Sequence, residues 1–177
     1  ALFDIDKTIY NGYVIFPLAE YQLKNGLTDE QSRDILLNDL NLYKNGKVEY
    51  ETTIANLVEH WADGLRGQSF DKVLENAVEF LNGTGNKFFD YVDKIIQILK
   101  PTHDIYFITG EPDFVGRAAA LHFLIKDSLS AELEIKDGFF TGKIKRQLAR
   151  KEEKLEVIST LLKDYPRENS LAFGDSE

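Results

Sequence analysis

The sequence contains no cysteine and no methionine. Without cysteine there can be no disulfide, thiolate zinc site, iron–sulfur cluster or thiol nucleophile. Histidine is scarce: His60, His103 and His122 stand far apart along the chain and read as structural or surface residues. Positive charge is also short. The 21 Lys and Arg against 30 Asp and Glu leave a net charge of −9. That field repels phosphate backbones, so nucleic acid is not an expected partner. No apolar run approaches the ~20 residues that span a bilayer, so no membrane span is expected either. The chain opens without methionine on a sharp acidic motif and closes just as abruptly. Both ends are therefore read as incomplete, and the expected location is the cytoplasm.

What is present is globular. Hydrophobic residues make up 43% and charged residues 29% of 177 positions, which suits one domain, or one domain with a smaller insert. Ala1–Phe3, Ile105–Ile108, Leu133–Ile135, Phe139–Ile144 and Ser170–Phe173 have strand character. Lys136-Asp137-Gly138 reads as the turn of a hairpin. Between these segments the apolar period is helical, over 29–43, 48–65, 70–81, 88–99, 112–123 and 154–162. Alternating strand and helix implies an α/β fold with a Rossmann-like parallel sheet. From Thr8 to Thr109 is 109 − 8 = 101 residues, whereas a strand-helix-strand crossover needs about 30. The surplus of about 70 is almost all helical. It implies a small helical domain, residues 11–86, inserted after the first strand of a core made of 1–10 and 87–177.

Four short signals lie at the ends of these elements. Asp4-Ile5-Asp6-Lys7-Thr8 puts two carboxylates beside one strand end, where they repel unless a hard cation such as Mg²⁺ joins them. Thr109-Gly110-Glu111-Pro112 ends a strand on a hydroxyl and opens a helix whose free N–H groups suit a phosphate. Lys154 stands early in an amphipathic helix, with Lys143, Lys145 and Lys151 as competitors for any role. Gly174-Asp175-Ser176 places another acid after the last apolar run. Taken singly, each signal also has a bland structural reading as a turn, a helix start or a solvated charge.

In this order the four signals resemble the haloacid dehalogenase superfamily, and the helical insert resembles the small cap of its phosphoserine phosphatase branch. The resemblance implies an Mg²⁺-dependent phosphatase acting on a small-molecule phosphomonoester. It makes Asp4 the nucleophile that forms an aspartyl-phosphate, and Asp6 the general acid and base. Thr109 and the Gly110 amide would hold a phosphoryl oxygen, and Lys154 would neutralise charge. Asp4, the Asp6 carbonyl and Asp175 would hold the metal. A further acid of the family would lie beyond Glu177. A lid motion of the insert is expected about joints at 10–12 and 82–85.

The sequence also departs from that branch. Residues 10–16 contain no acid and 48–57 no Arg or Lys, so phosphoserine is not the expected substrate. Tyr13, Phe16, Tyr50 and Trp61 form a candidate aromatic wall for a quaternary amine or an apolar head, although Phe16 and Trp61 are expected to pack helices. Glu111 stands where a small residue is usual. The other readings are a phosphotransferase or phosphomutase of the same superfamily, a phosphate-binding regulatory module without catalysis, and a receiver domain. The long insert and the first-strand acids disfavour the last.

Overall fold

A computed structural model describes residues 1–175. Among these residues the chain forms β1 (Leu2–Asp4) and four helices, α1 (Ile15–Lys24), α2 (Glu30–Lys44), α3 (Tyr50–Gly64) and α4 (Phe70–Asn82). It continues through α5 (Tyr91–Leu99), β2 (Tyr106–Pro112), α6 (Asp113–Phe123), β3 (Asp127–Lys136) and β4 (Phe139–Arg146). Helix α7 (Lys151–Leu161), one 3₁₀ turn and β5 (Ala172–Phe173) complete it.

The strands form one sheet in the order β4-β3-β2-β1-β5. β1 runs parallel to β2 and β5, β2 parallel to β3, and only β4 is antiparallel. β2 is central, and all seven of its residues are buried, as expected for a parallel strand covered on both faces. β3 is longer than its apolar pattern implies, because its first half pairs with β2 and its second half with β4. Asp137 and Gly138 at the hairpin tip both have positive φ, the conformation of the tight turn that Asp-Gly favours.

Register explains where chemistry can gather. Asp4 pairs with Ile108, one residue before Thr109, and Phe3 pairs with Phe173, two before Asp175. All three polar residues therefore lie at the end of the β1 pairing or just past it, on the carboxyl side where ligands of such sheets bind. The Phe3 and Phe173 rings stack at 4.2 Å and fix the short β5.

Helix α1 has no separate counterpart in the periodicity. Pro17 resembles a break there, yet it falls in the first turn, where the missing N–H and fixed φ are tolerated. The helices between β1 and β2 are not walled off from the sheet. Trp61 of α3 packs edge-on against Phe114 of α6 at 5.1 Å, and its indole N–H donates to Gln22 Oε1 at 2.7 Å. Phe70 meets Phe140 at 5.8 Å. The loop joining α3 to α4 adds to the edge of the hairpin: Gly67 N–H donates to Phe140 O, Phe140 N–H to Gln68 O, and Phe70 N–H to Gly138 O, at 2.8, 3.0 and 3.0 Å. Among the described residues no helix is long and apolar enough to cross a membrane.

Candidate active site

The loop after β1 is a compact hydrogen-bonded knot. The Ile5 carbonyl accepts from the N–H groups of Thr8, Ile9 and Tyr10 at 3.3, 3.0 and 2.9 Å. Lys7 closes the turn with φ of 58°, a left-handed conformation that costs a non-glycine residue about 1–2 kcal/mol. The turn points the Asp6 side chain back towards the sheet edge, where Oδ1 accepts from Val14 N–H at 3.0 Å. Among the described residues no backbone N–H donates to the Asp6 carbonyl.

Asp4, Asp6, Thr109, Gly110 and Lys154 line one cavity of about 50 Å³, together with Tyr50, Ile54, Glu111 and Ala149. Lys154 arrives from the first turn of α7 and donates to Asp4 Oδ1 at 3.3 Å. Of Lys143, Lys145, Lys151 and Lys154, it is Lys154 that lines this cavity. Thr109 is buried, and its Oγ1 accepts from Glu111 N–H at 3.2 Å. Gly110 is tightly packed: a Cβ there would lie 3.0 Å from Ile54 Cγ2 and 3.3 Å from Leu148 O. Asp175 is exposed and does not line the cavity, although its charge acts on Asp4.

Burial dominates the electrostatics. It raises the Asp4 carboxyl above its ordinary value; the Lys154 ammonium opposes that shift and the Asp175 charge adds to it. Asp6 is pushed up to about 7, first by burial and then by Asp4, against the pull of the Val14 N–H bond. Glu111 is raised well above the carboxylate range by burial and by the neighbouring Asp6. Two buried acids that resist ionisation, beside a third paired with lysine, make a site able to hold a proton next to a lysine-paired carboxylate.

Glu111 is the residue that the sequence pattern did not place. Its Oε1 accepts from Ile15 N–H at 3.0 Å, and its carboxyl shares a side-chain hydrogen bond with Asp6. An acid within an otherwise apolar central strand was the available signal. A second, mostly apolar space continues from the first, lined by Asp6, Tyr13, Phe16, Tyr43, Tyr50 and Glu111 among others. Of the proposed aromatic wall, Tyr13, Phe16 and Tyr50 face this space; Tyr43 joins them, and Trp61 is a packing residue.

No three acid or imidazole side chains among the described residues converge into a metal cage. A divalent cation here would instead take two carboxylates and a main-chain oxygen. Asp4, Asp175 and the Asp6 carbonyl fit that description: the two acids interact across the sheet edge, and the carbonyl has no backbone donor. Hard cations prefer such oxygen ligands and retain waters.

The family model for haloacid dehalogenase-like hydrolases matches residues 1–177. Among solved structures, a protein of unknown function from Bordetella pertussis Tohama I superposes with a TM-score of 0.72 at 17% identity, over 93% of this chain and 74% of that one. A phospho-aspartyl intermediate analogue of phosphoserine phosphatase matches with a TM-score of 0.58 at 18% identity, over 92% and 70%. A HAD family hydrolase from Salmonella enterica serovar Typhi matches with 0.65 at 15% identity, over 97% and 54%. At these identities the likeness is one of fold. No curated protein matches the sequence significantly.

Proposed function

The chain belongs to the haloacid dehalogenase-like hydrolases, and from that premise we propose that it is an Mg²⁺-dependent phosphatase of small-molecule phosphomonoesters, working through an aspartyl-phosphate on Asp4. The observation that carries this reading is the contact between Lys154 Nζ and Asp4 Oδ1 at 3.3 Å, 150 residues apart in sequence, beside Asp6 and Thr109 in one cavity. The core is read as 1–10 with 87–177 and the cap as 11–86.

In the proposed reaction an Asp4 carboxylate oxygen attacks phosphorus, and the bond from phosphorus to the ester oxygen breaks. The departing oxygen keeps the electron pair and takes the proton held by Asp6. Water then enters, Asp6 takes its proton, and its oxygen attacks the phosphorus. The bond to Asp4 breaks, which frees phosphate and leaves Asp6 protonated again. Lys154 steadies the charge on Asp4 throughout, and Thr109 Oγ1 with the Gly110 N–H would hold a phosphoryl oxygen. Mg²⁺ on Asp4, Asp175 and the Asp6 carbonyl would supply positive charge against the phosphoryl oxygens.

The test is hydrolysis of a phosphomonoester panel with and without Mg²⁺, in the native protein and in Asp4→Asn. The native protein should release phosphate only with the metal, and Asp4→Asn should release none while keeping its circular dichroism spectrum. Near-normal turnover by Asp4→Asn would remove the covalent mechanism. Burst kinetics with an added alcohol acceptor separate hydrolysis from phosphotransfer.

A further inference from the structure

Resting on the phosphatase reading, we infer that Asp39 and His60 are positioning residues that latch α2 over the leaving-group space, and that this latch sets how readily a bulky ester is admitted beside Asp4.

Size makes a moving wall necessary. The space that continues from the Asp4 cavity is about 30 Å³, room for roughly one water. It shares Asp6, Tyr50, Ile54, Gly110 and Glu111 with that cavity, so the leaving group of an ester held at Asp4 must enlarge it. The walls differ in how firmly they are held. β2 is buried throughout. α1 buries Ile15, Leu18, Ala19 and Gln22, and α3 buries Thr53, Leu57, Val58, Trp61 and Ala62. α2 supplies Leu40 and Tyr43 to the space, yet it buries only Leu36 and Asp39. It is the wall with the least apolar burial to lose on moving.

One of those two anchors is a carboxylate. Asp39 is 5% exposed, and its Oδ2 lies 2.6 Å from His60 Nδ1 on α3. A carboxylate only accepts, so the imidazole N–H is the donor. A buried carboxylate is tolerated when paired and costly when its partner is lost, so the bond tethers α2 to α3. Spacing carries the tether to the wall. Leu36, Asp39, Leu40 and Tyr43 stand at i, i+3, i+4 and i+7, one face of a helix. His60 lies one turn beyond Leu57, which lines the same space.

The ties of α2 at its two ends are unequal. Its start lies close against the end of α3, where a Cβ on Gly64 would fall 2.8 Å from Ser32 Cβ. Its far end is held by the edge contact of Tyr43 with Tyr50 at 5.8 Å, and both rings are exposed. Arg33 pairs with Glu20 of α1 at 2.7 Å, a part-exposed bond of small worth. Once the latch parts, α2 therefore pivots near Ser32 and lifts Leu40 and Tyr43. His60 is itself part-exposed, so water replaces the lost bond and the opening is reversible.

Two esters of different bulk test the inference with Mg²⁺ present: methyl phosphate, whose leaving group approaches the size of a water, and benzyl phosphate. Only the second requires the latch to open, and an opening equilibrium weakens apparent affinity by the fraction of open protein. His60→Ala should therefore lower KM for benzyl phosphate at least about fivefold and leave its kcat and the KM of methyl phosphate within about twofold. His60→Asn, whose side-chain amide keeps a donor near the place of Nδ1, should retain the native values. Asp39→Ala removes the buried charge as well, serves if His60→Ala does not fold, and should repeat the His60→Ala pattern. Amide exchange reads the latch without any turnover: in His60→Ala it should quicken at least about tenfold across 36–44 and stay unchanged across 73–81. A KM that moves equally for both esters, or exchange across 36–44 no faster than in the native protein, overturns the inference. Hydrolysis of p-nitrophenyl phosphate reports the phosphatase reading separately. Should no ester be cleaved, that reading falls, and the exchange result alone decides whether Asp39 and His60 hold α2.

Discussion

Ile15 donates its backbone N–H to Glu111 Oε1 at 3.0 Å, across 96 positions of sequence. With the neighbouring Val14-to-Asp6 bond, two consecutive N–H groups at the start of α1 each hold an acid at the sheet edge. The free N–H groups of a helix start are suited to this. Glu111→Leu should leave the Ile15 N–H buried and unpaired, costing about 1–3 kcal/mol. Glu111→Gln keeps the acceptor and removes an acid that resists ionisation, so it should match or exceed the native stability at pH 8. Urea denaturation of both variants checks this; equal losses would mean that the hydrogen bond contributes nothing.

Asp6 should set the alkaline limb of the rate profile. It must carry a proton to serve the departing oxygen, and burial pushes it up to about 7. As pH rises through that value the acid ionises, so kcat/KM for alkyl phosphates should fall. In Asp6→Asn the limb should vanish and turnover should drop by about 10²–10⁴. The drop should be smaller for aryl phosphates, whose leaving groups need less protonation. An equal loss on aryl and alkyl esters would remove Asp6 from the acid role.

Asp113 opens α6 with its Oδ1 unpaired, and Arg117 lies 3.9 Å from its other oxygen. Burial raises it from an ordinary 3.8 to about 6. Between those values the folded protein holds a proton that the unfolded chain has lost. Its contribution to stability is therefore full below pH 4 and declines as pH rises to 6. Asp113→Asn should flatten the dependence of Tm on pH across that window. An unchanged slope would assign the dependence to other groups.

Gly116 lets α6 lie close against β3. A Cβ there would fall 2.1 Å from Ser130 Oγ and 2.6 Å from Ser128 Oγ. Gly116→Ala gains helix propensity but must displace both hydroxyls, so a net loss of about 1–3 kcal/mol is expected. Gly116→Ala combined with Ser130→Ala should recover part of it in thermal unfolding. No loss in the single variant would show that the helix moves freely over β3.

The carboxyl-edge chemistry was legible because it is local. Asp4 and Asp6 are two residues apart, and Thr109 and Gly110 follow Ile108, the last β2 residue paired with β1, so strand register alone brings them together. Lys154 was separable from Lys143, Lys145 and Lys151 only through the family resemblance, since its contact spans 150 residues. Glu111 and Tyr43 were not read as site residues. Their roles depend on which helix covers the sheet edge, and helical periodicity says nothing about that. Trp61 packs as its helical spacing implied, with its indole spent between α3 and α6.

The helical segment 11–86 is joined to the sheet at more than its two ends. Asn11 N–H donates to Lys87 O at 2.8 Å where the segment's two ends meet, and the α3–α4 loop is hydrogen-bonded to the β3–β4 hairpin near its far end. A swing of the whole segment would have to break the bonds of Gly67, Phe70 and Phe140 and part the Phe70–Phe140 contact. Motion is cheaper in α2, which buries only Leu36 and Asp39, and in the first turn of α3. Amide exchange should accordingly be slow at Gly67, Phe70 and Phe140 and fast across 44–50. Under the proposed phosphatase reading, the reach of the 44–50 loop would then bound how large a leaving group can be admitted, so selection by size would follow loop displacement and not domain rotation.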